Sequence, residues 1–447
     1  MRNRWGIGIL LLCGVAVGFT HGEESRDAAA RGRDALLTRS YTPALWALNA
    51  YDDAWKQWGI PEKPGDYARA FREHYGLHVA PYPNDGLPMG IRQAQGLLGK
   101  GLASDCLLCH GGSILGKSYV GLGNSALDMH SLYDDLARAS GLPSRLTYPY
   151  SNVRGTTEAG AFAVTLLDYR DVQLNLRVPV KLPFRTDLCE DPPAWWLLKR
   201  KKTMYLDGGS NARAVRSIMQ FMLTPLNTAE HIKKQEPVFR DVQAFILSIE
   251  PPKYPFPIEE SLAAQGKVLF EQTCARCHGT YGPNGAYPNK IVPLEEIGTD
   301  PTRATGFSAE SLAHYNQTWF AQELGPDGKP YLAEHPAGYQ APPLDGVWAT
   351  APYLHNASVP TIYHVLNSKT RPQRFTRSYR TDETAYDLEK LGWKFTAVER
   401  VDANLSDHER RKVYDTTQPG RGNRGHTFGD KFSEAERKAV IEYLKSL

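Results

Sequence analysis

The stretch that decides the architecture is Cys106-Leu-Leu-Cys109-His110, and a second stretch of the same form, Cys274-Ala-Arg-Cys277-His278, follows later in the chain. In each stretch two residues separate the thiols, and a histidine comes directly after the second thiol. This spacing places both sulfurs along one edge of a porphyrin, where they can add to its vinyl groups as thioethers. The histidine then falls beneath the iron and binds it. The two stretches therefore predict two covalently bound haem c groups.

Two other kinds of site use paired cysteines, and the spacing argues against both. A redox dithiol has no need of a histidine at the same place twice. A zinc site would bring its Cys-x-x-Cys pairs much closer together in sequence. Of the six cysteines, Cys13 and Cys189 lie outside the motifs. Because Cys189 has no free partner, we expect a buried, unreactive thiol and no disulfide framework.

Composition sets the class of protein. The chain has 447 residues, of which 41% are hydrophobic and 23% charged, and this suits a globular protein of two or three domains. The formal net charge is +3, and two of the basic residues, Arg2 and Arg4, lie at the extreme N-terminus. The rest of the chain carries no strong basic field, so we expect no nucleic-acid partner.

The first 22 residues have the pattern of an export signal. Arg2 and Arg4 precede an uncharged apolar run from Gly6 to Phe19, and small residues at positions 20 and 22 have the spacing of a cleavage site. The run is too short to span a bilayer comfortably. We expect cleavage after residue 22, a periplasmic location and no stable membrane span. An uncleaved anchor and a lipoprotein at Cys13 are the alternatives.

A proline-rich segment divides the chain. Ile249-Glu-Pro-Pro-Lys-Tyr-Pro-Phe-Pro-Ile258 cannot form a continuous helix and favours an extended linker. Each side of it holds one Cys-x-x-Cys-His motif, which amounts to a weak internal repeat. We predict a signal peptide over 1–22, an N-terminal haem c domain over 23–250, a linker over 251–257 and a C-terminal haem c domain over 258–447.

The fold is predicted to be mainly α, with two cytochrome-c-like haem domains, long loops and little β structure. A helix is predicted from Ile258 to Gln272, just before the second motif. Each half also ends in an apolar pattern with helical spacing, and Ser433 with Glu436 forms a capping-box pattern at the start of the last helix. The residues of the two terminal patterns are Val242, Phe245, Ile246 and Ile249, and Val440, Tyr443, Leu444 and Leu447.

The sixth position of each iron decides what the protein does. A strong sixth ligand gives an electron-transfer centre, whereas an open position lets the iron bind peroxide or dioxygen. Methionine is a common sixth ligand, but none follows Cys277. The second haem must therefore take another ligand from its own half, and the histidines available there are His314, His335, His355, His364, His408 and His426.

The segment Leu344-Asp-Gly-Val-Trp-Ala-Thr-Ala-Pro-Tyr-Leu-His-Asn-Ala-Ser-Val-Pro-Thr361 resembles the bacterial di-haem cytochrome c peroxidase superfamily. In the peroxidases a methionine ligand follows Ala-Pro-Tyr, and here Leu354 stands in that place, followed by His355. This variant is similar to the rubber-oxygenase branch of the superfamily, as are Pro288-Asn-Lys-Ile-Val-Pro-Leu-Glu-Glu-Ile-Gly-Thr-Asp-Pro301 and Gly425-His-Thr-Phe-Gly429. The resemblance implies His355 as the second ligand of the C-terminal haem, opposite His278.

The first haem, with His110 as proximal ligand, has two sets of candidates on its other side. Met129 or His130 could fold back over the iron, although the stretch Ser125–Leu136 also has the pattern of an ordinary helix. A ligand there would close the site.

The resemblance implies instead an open first haem beneath a distal helix, for which the segment Ala212–Met222 is the candidate. Phe221 and Met222 would roof this site, and Arg213 would supply a polar contact. The alternative for each of these side chains is a place in the hydrophobic core.

We therefore predict a periplasmic haem-dependent oxidoreductase that activates peroxide or dioxygen at the N-terminal haem, with the C-terminal haem in electron transfer. Its partners would be a periplasmic electron donor or acceptor and the small-molecule oxidant. The resemblance allows calcium, but no ligand spacing indicates it. The alternative is a non-enzymatic electron carrier in which both haems are six-coordinate.

Overall fold

The computed structural model describes residues 13–97, 99–143, 146, 148–336 and 338–447, with side chains from residue 24 onward. The predicted signal peptide lies outside the residues whose side chains are described. Helices hold about 36% of the chain and strands about 13%, the latter in small sheets, which confirms the prediction of a mainly α fold. Within the described ranges, no helix combines the length and the apolar character needed to cross a bilayer.

Among the described residues, the part of the chain before the proline-rich segment contains eight α-helices, three 3₁₀ turns, of which the first is Ala54–Gln57, and short antiparallel strands. Strands β1, β3 and β2 form one sheet in that order, and β4 with β5 and β6 with β7 form ribbons. The elements are α1 (Cys13–Thr38), β1 (Trp46–Ala47), α2 (Ala50–Asp53), α3 (Tyr67–Tyr75), β2 (Ile91–Gly96), β3 (Gly99–Ser104), α4 (Leu107–His110), β4 (Gly111–Ile114), β5 (Lys117–Val120), α5 (Met129–Ala139), α6 (Ala159–Asp168), the turn Trp195–Lys199, β6 (Thr203–Met204), β7 (Ser210–Asn211), the turn Arg216–Met222, α7 (Ala229–Lys234) and α8 (Glu236–Ser248).

The part after the segment is built in the same way, from helices joined by long loops and short strands. Strands β13, β10 and β14 form a sheet in that order, and β8 with β9 and β11 with β12 form ribbons. The elements are α9 (Glu260–Thr273), α10 (Ala275–His278), β8 (Ile291–Pro293), α11 (Leu294–Ile297), α12 (Ala309–Gln317), β9 (Gly338–Gln340), α13 (Ile362–Leu366), β10 (Arg374–Thr376), β11 (Tyr386–Asp387), β12 (Gly392–Trp393), β13 (Thr396–Ala397), α14 (Asp407–Arg411), β14 (Val413–Asp415) and α15 (Glu434–Lys445).

The three helices predicted from apolar spacing are present. The terminal pattern of the first half lies in α8, the pattern before the second motif lies in α9, and the last pattern lies in α15. Helix α15 begins with the predicted capping box, in which the Ser433 hydroxyl accepts from the Glu436 backbone and the Glu436 carboxylate accepts from the Ser433 backbone. Helices α8 and α9 bury one face each, so their apolar period is visible in the sequence, whereas α15 is buried continuously from Ala439 to Leu444.

Each half contains one tightly crossed helix pair. Helix α1 packs on α8, and a Cβ added to Gly32 would lie 1.9 Å from the Asp241 carbonyl oxygen. Helix α9 packs on α15, where a Cβ added to Gly266 would lie 1.8 Å from the Ala439 carbonyl oxygen. In both pairs the helices therefore approach so closely that only glycine fits at the crossing.

Two hydrophobic clusters contain residues from both sides of the proline-rich segment. One buried cluster joins Trp196 of the first half to Trp348 and Trp393 of the second. Another joins Met219 and its neighbours to Phe320. The division at 250 and 258 thus separates two similar sequence patterns but not two separate hydrophobic cores.

A polar contact also links the halves. The His74 ring of α3 stacks on the His408 ring of α14, with centroids 4.4 Å apart and planes 6° apart, while Trp58 stacks on His74 at 4.4 Å. His408 Nδ1 lies 3.1 Å from a carboxylate oxygen of the buried Asp128, which also accepts from Arg411 Nε at 3.1 Å. The second half is therefore fixed to α3 and α5 by stacked rings and by one shared carboxylate.

Candidate haem-binding sites

The first motif is held by a buried ion pair at its start. Arg92 Nε donates to Asp105 at 2.5 Å, and both side chains are almost entirely buried. The other Asp105 oxygen accepts from the Leu107 backbone at 2.8 Å, in the first turn of α4. Because carboxylates stabilise the first turn of a helix, this arrangement fixes the short turn that carries Cys109 and His110.

The ring of His110 is oriented by a distant carbonyl. Its Nδ1 donates to the Pro193 carbonyl oxygen at 3.1 Å, so the proton lies on Nδ1 and Nε2 keeps its lone pair. Burial lowers the pKa of His110 to about 4, which keeps the ring neutral. Trp195 stacks on the ring at 4.9 Å. A neutral imidazole with a free Nε2 is what a metal ligand requires.

The second motif repeats this arrangement. Helix α9 ends at Thr273, Cys274 follows, and α10 carries the rest of the motif. His278 Nδ1 donates to the Pro342 carbonyl oxygen at 2.8 Å, and burial lowers the pKa of His278. Tyr281 donates its hydroxyl to the His278 carbonyl oxygen at 2.9 Å. Both motifs therefore present a neutral histidine whose Nε2 is available to a metal.

Three thiols of the motifs lie in surroundings that disfavour the thiolate. None of the five cysteines whose side chains are described forms a disulfide. Burial raises the pKa of the Cys106 thiol above its ordinary range and raises those of Cys109 and Cys274 to about 12. A redox dithiol needs a thiol of lowered pKa, so this environment disfavours the redox alternative. Within the described residues, no group of three or more His, Cys, Asp or Glu side chains could hold a metal by itself.

His426 faces His278. The two ring centroids are 6.1 Å apart, with planes inclined by 60°. Two imidazoles that bind one metal ion from opposite sides have ring centres about 6 Å apart, because each metal–nitrogen bond is about 2 Å long. Burial, followed by the neighbouring His278, lowers the pKa of His426 to about 3, and its Nδ1 is buried without a hydrogen-bond partner. The pair fits two ligands of one haem iron.

A close backbone contact brings His426 to this position. Gly298, at the end of α11, and Gly425 approach so closely that a Cβ on Gly425 would lie 2.2 Å from the Gly298 backbone. The His426 backbone donates to the Ile297 carbonyl oxygen at 2.7 Å, and Arg371 donates to the carbonyl oxygens of Gly425 and His426 at 2.7 and 3.1 Å. Two of the stretches that carried the family resemblance are thus in direct contact.

The predicted ligand His355 lies elsewhere. Its ring stacks on Tyr339 with centroids 3.8 Å apart, and its Nε2 is buried without a hydrogen-bond partner. Burial and the charge of Arg303 lower the pKa of His355 to about 3. The ring that faces His278 is His426, so the geometry favours His426 over the predicted His355. His426 was one of the six histidines available to the second haem from its own half, and the family resemblance implied His355 instead.

The candidate ligands of the first haem lie in and beside α5. Met129 is buried in a cluster that also contains Leu108 and Cys109. His130 lies in a surface groove, where its Nδ1 accepts from the Tyr150 backbone at 3.3 Å. Among the described residues, Trp195 is the ring in contact with His110. Neither Met129 nor His130 has the relation to His110 that His426 has to His278.

The predicted distal segment is a 3₁₀ turn, Arg216–Met222, and not an α-helix. Phe221 packs on Phe239 with ring centroids 6.0 Å apart, and Met222 is fully buried in the same cluster. Arg213 is exposed and donates to the carbonyl oxygens of Leu198 and Lys199 at 3.2 and 3.1 Å. These contacts match the core alternative for Phe221 and Met222 and a capping contact for Arg213, so their catalytic role stays a prediction.

Comparisons with known proteins agree with the chemistry of the site. Residues 338–376 match the family model described as RoxA-like, cytochrome c-like. The chain is 31% identical over 46% of its length to the uncharacterized protein y4iM of Sinorhizobium fredii, and 28% identical over 44% to the uncharacterized protein y4iJ of the same organism. It spans 53% and 41% of these relatives' lengths. A RoxA-like cytochrome c domain therefore lies in the second half, and such a domain implies haem c.

Proposed function

We propose that this chain is a periplasmic di-haem c-type cytochrome with oxidoreductase activity. Cys106, Cys109 and His110 hold the first haem. The second haem is held by Cys274, Cys277 and His278, with His426 as its other iron ligand. The haem held at the first motif would supply an iron able to bind peroxide or dioxygen, and the haem held at the second motif would supply an electron-transfer centre for it and for a periplasmic partner protein. The residues from 23 to 250 and from 258 to 447 form the two haem-bearing halves.

The observation that carries the proposal is the asymmetry of the two sites. Both proximal histidines donate Nδ1 to a proline carbonyl oxygen, but only His278 faces a second imidazole among the described ring contacts. A haem iron with two strong ligands transfers electrons, whereas one with an open position binds small oxidants. The same motif is therefore suited to two different tasks.

The chain's own residues set the conditions for each task. The Pro193 and Pro342 carbonyl oxygens fix the proton of each proximal histidine on Nδ1, which leaves Nε2 as ligand and raises its basicity. The contact between Gly298 and Gly425 fixes the loop that carries His426. Trp195 covers one face of the His110 ring. None of these groups must move for an electron to pass through the second site.

The RoxA-like, cytochrome c-like match supports the oxidoreductase role. It covers residues 338–376, which lie between the second motif and His426. The N-terminal pattern of Arg2, Arg4 and an apolar run supports export, which covalent haem attachment also requires in bacteria. The resemblance to rubber oxygenases favours dioxygen as oxidant over peroxide. The organic substrate is left open.

Electron paramagnetic resonance of the purified ferric protein tests the proposal. We expect one high-spin ferric signal from the first haem and one low-spin signal, with g values typical of two imidazole ligands, from the second. Addition of cyanide should convert only the high-spin signal, because only that iron has an open position. Two low-spin signals that do not respond to cyanide would contradict the oxidoreductase role and support a pure electron carrier.

A further inference from the structure

Arg377 crosses from the second half of the chain to the first motif. It follows β10, and its Nη2 donates to the Ser125 carbonyl oxygen. Ser125 comes directly after Asn124, whose backbone donates to the Cys109 carbonyl oxygen at 2.8 Å. Farther along the same segment, the Thr381 carbonyl oxygen accepts from Gly116 at 2.8 Å, in the turn between β4 and β5 that follows His110. The segment that carries Arg377 therefore lines the surroundings of the first motif.

The guanidinium of Arg377 is held between two rings. Its central carbon lies 4.4 Å from the Tyr379 ring centre and 4.9 Å from that of Trp393. With Nη2 bonded to Ser125, the other terminal nitrogen, Nη1, is buried and has no hydrogen-bond partner. A buried guanidinium N–H without an acceptor costs free energy, so this position favours an acceptor that the protein chain does not itself supply.

No carboxylate among the described residues lies within ion-pair distance of Arg377. The carboxyl group that interacts electrostatically with Arg377 is that of Asp191, which makes no hydrogen bond and whose pKa burial raises well above its ordinary value. A second arginine, Arg154, lies over Tyr379 at 4.9 Å and donates only to carbonyl oxygens of Ala126 and Glu73. The buried Arg154 and the half-buried Arg377 thus flank one tyrosine without a bonded counter-charge.

Asp191 approaches the same place from the other side of the first motif. It precedes by two positions Pro193, whose carbonyl oxygen orients His110. The Pro192 carbonyl oxygen lies so close to Gly123 that a Cβ there would be 1.9 Å away. The stretch around Asp191 and the stretch around Ser125 are therefore adjacent, and Arg377 lies beside both.

We propose that Arg377 binds a propionate carboxylate of the haem held at Cys106 and Cys109. This inference rests on the proposed function, because it requires haem at the first motif. A carboxylate is the acceptor that a guanidinium matches best in a buried site, and it would supply the missing negative charge between the two arginines. Arg377 is then a positioning residue that joins the second half of the chain to the cofactor of the first half.

The test measures the midpoint potentials of both haems in the haem-loaded full chain. Ferric haem is more positive than ferrous haem, so a nearby guanidinium favours reduction. In R377Q the potential of the first haem should fall and that of the second should stay unchanged, while R377K should give an intermediate value. R170Q is the matched control, because Arg170 is also buried and donates only to carbonyl oxygens, among them those of Leu174 and Asn227. It should leave both potentials unchanged.

Two further measurements separate the possible failures. Infrared difference spectra of protein carrying haem with isotope-labelled propionates should show a propionate band that shifts in R377K, which gives an answer even where R377Q does not fold. A potential of the first haem that depends on added acetate would identify a free carboxylate as the bound anion and overturn the propionate assignment. Unchanged potentials in R377Q would overturn it as well. If the peptide that contains Cys106 carries no covalent haem in the unmodified protein, the proposed function itself is wrong.

Discussion

The two Cys-x-x-Cys-His motifs have the same immediate surroundings and different distant ones. Each histidine is neutral, half-buried and bonded through Nδ1 to a proline carbonyl oxygen. The second motif follows directly on α9 of its crossed helix pair, whereas α1, the counterpart in the first half, ends at Thr38, far before Cys106. The second histidine faces His426, and the first contacts Trp195. On the proposed function, the comparison teaches that the five-residue motif would attach a cofactor, while the surrounding chain would determine what the cofactor does.

Removal of the thiols should have the largest effect on this comparison. Replacing Cys106 and Cys109 together by alanine should remove about half of the covalently bound haem, and the same change at Cys274 and Cys277 should remove the other half. The haem retained after denaturation and extraction measures it. A single variant that loses all covalent haem would show that the two sites are not loaded independently, and a variant that loses none would contradict attachment at that motif.

The choice between His426 and His355 comes next. H426A should convert the low-spin ferric signal of the second haem into a high-spin one, because the iron loses a strong ligand. H355A is the matched control: both histidines are buried, but the His355 ring stacks on Tyr339 and not opposite His278. Electron paramagnetic resonance of both variants decides the matter. A low-spin signal that survives in H426A and disappears in H355A would restore the ligand implied by the family resemblance.

Gly32 and Gly266, the glycines at the two helix crossings, allow the packing of the two halves to be compared. Alanine at Gly32 or at Gly266 would place a Cβ 1.9 or 1.8 Å from a backbone carbonyl oxygen of the partner helix. We expect each substitution to lower the free energy of unfolding by about 1–3 kcal/mol, because the helices must separate. Denaturant unfolding of the haem-loaded protein measures it. Gly65, with nothing within 4 Å of its added Cβ, is the control and should change stability by less than about 0.5 kcal/mol.

The stacked rings of His74 and His408 join the two halves, and we expect the free energy of unfolding to depend on pH through them. Burial, and then the adjacent His408, lower the pKa of His74 from 6.5 to about 3. The unfolded chain therefore binds a proton at His74 between these values while the folded chain does not, so this contribution to stability is present above pH 6.5 and is lost as the pH falls.

We expect the free energy of unfolding to fall by about 1–3 kcal/mol more in the unmodified protein than in H74Q between pH 7 and pH 4. Asp135, whose pKa burial raises to about 7, titrates in the same range with the opposite sign, and because its carboxylate lies 3.9 Å from His74 Nε2, the comparison with H74Q reports on the two groups together. Equal pH dependence of the two proteins would exclude His74 as the group responsible.

Local patterns were predicted from the sequence with success. The apolar period of α8 and α9 follows from their single buried face, and the Ser433 capping box needs only two residues three positions apart, so these signals lie within short windows. The positions of the small sheets were not predicted. Their strands have only two to six residues, which is too short for an alternation of apolar and polar residues to be recognised. The distal segment was expected as a helix, yet it is a 3₁₀ turn buried against Phe239.

Contacts between distant segments were not predictable in the same way. His426 reaches His278 because Gly298 and Gly425 meet backbone to backbone, and a single sequence does not reveal which glycines will pair. The acceptors Pro193 and Pro342 use carbonyl oxygens, which every residue has, so no side chain marks them. The hydrophobic clusters that both halves share were not predicted either. The internal repeat suggested two domains, each with its own core.

The proline carbonyls have a consequence for the order in which the protein matures. Covalent attachment needs only five consecutive residues, which are complete as soon as that stretch has emerged. The acceptors that fix the histidine protons lie 83 and 64 positions downstream, at Pro193 and Pro342. An unfolded chain could thus already carry its cofactor. The hydrogen bond that makes each histidine a more basic iron ligand would form only later, when the downstream segment folds against the motif.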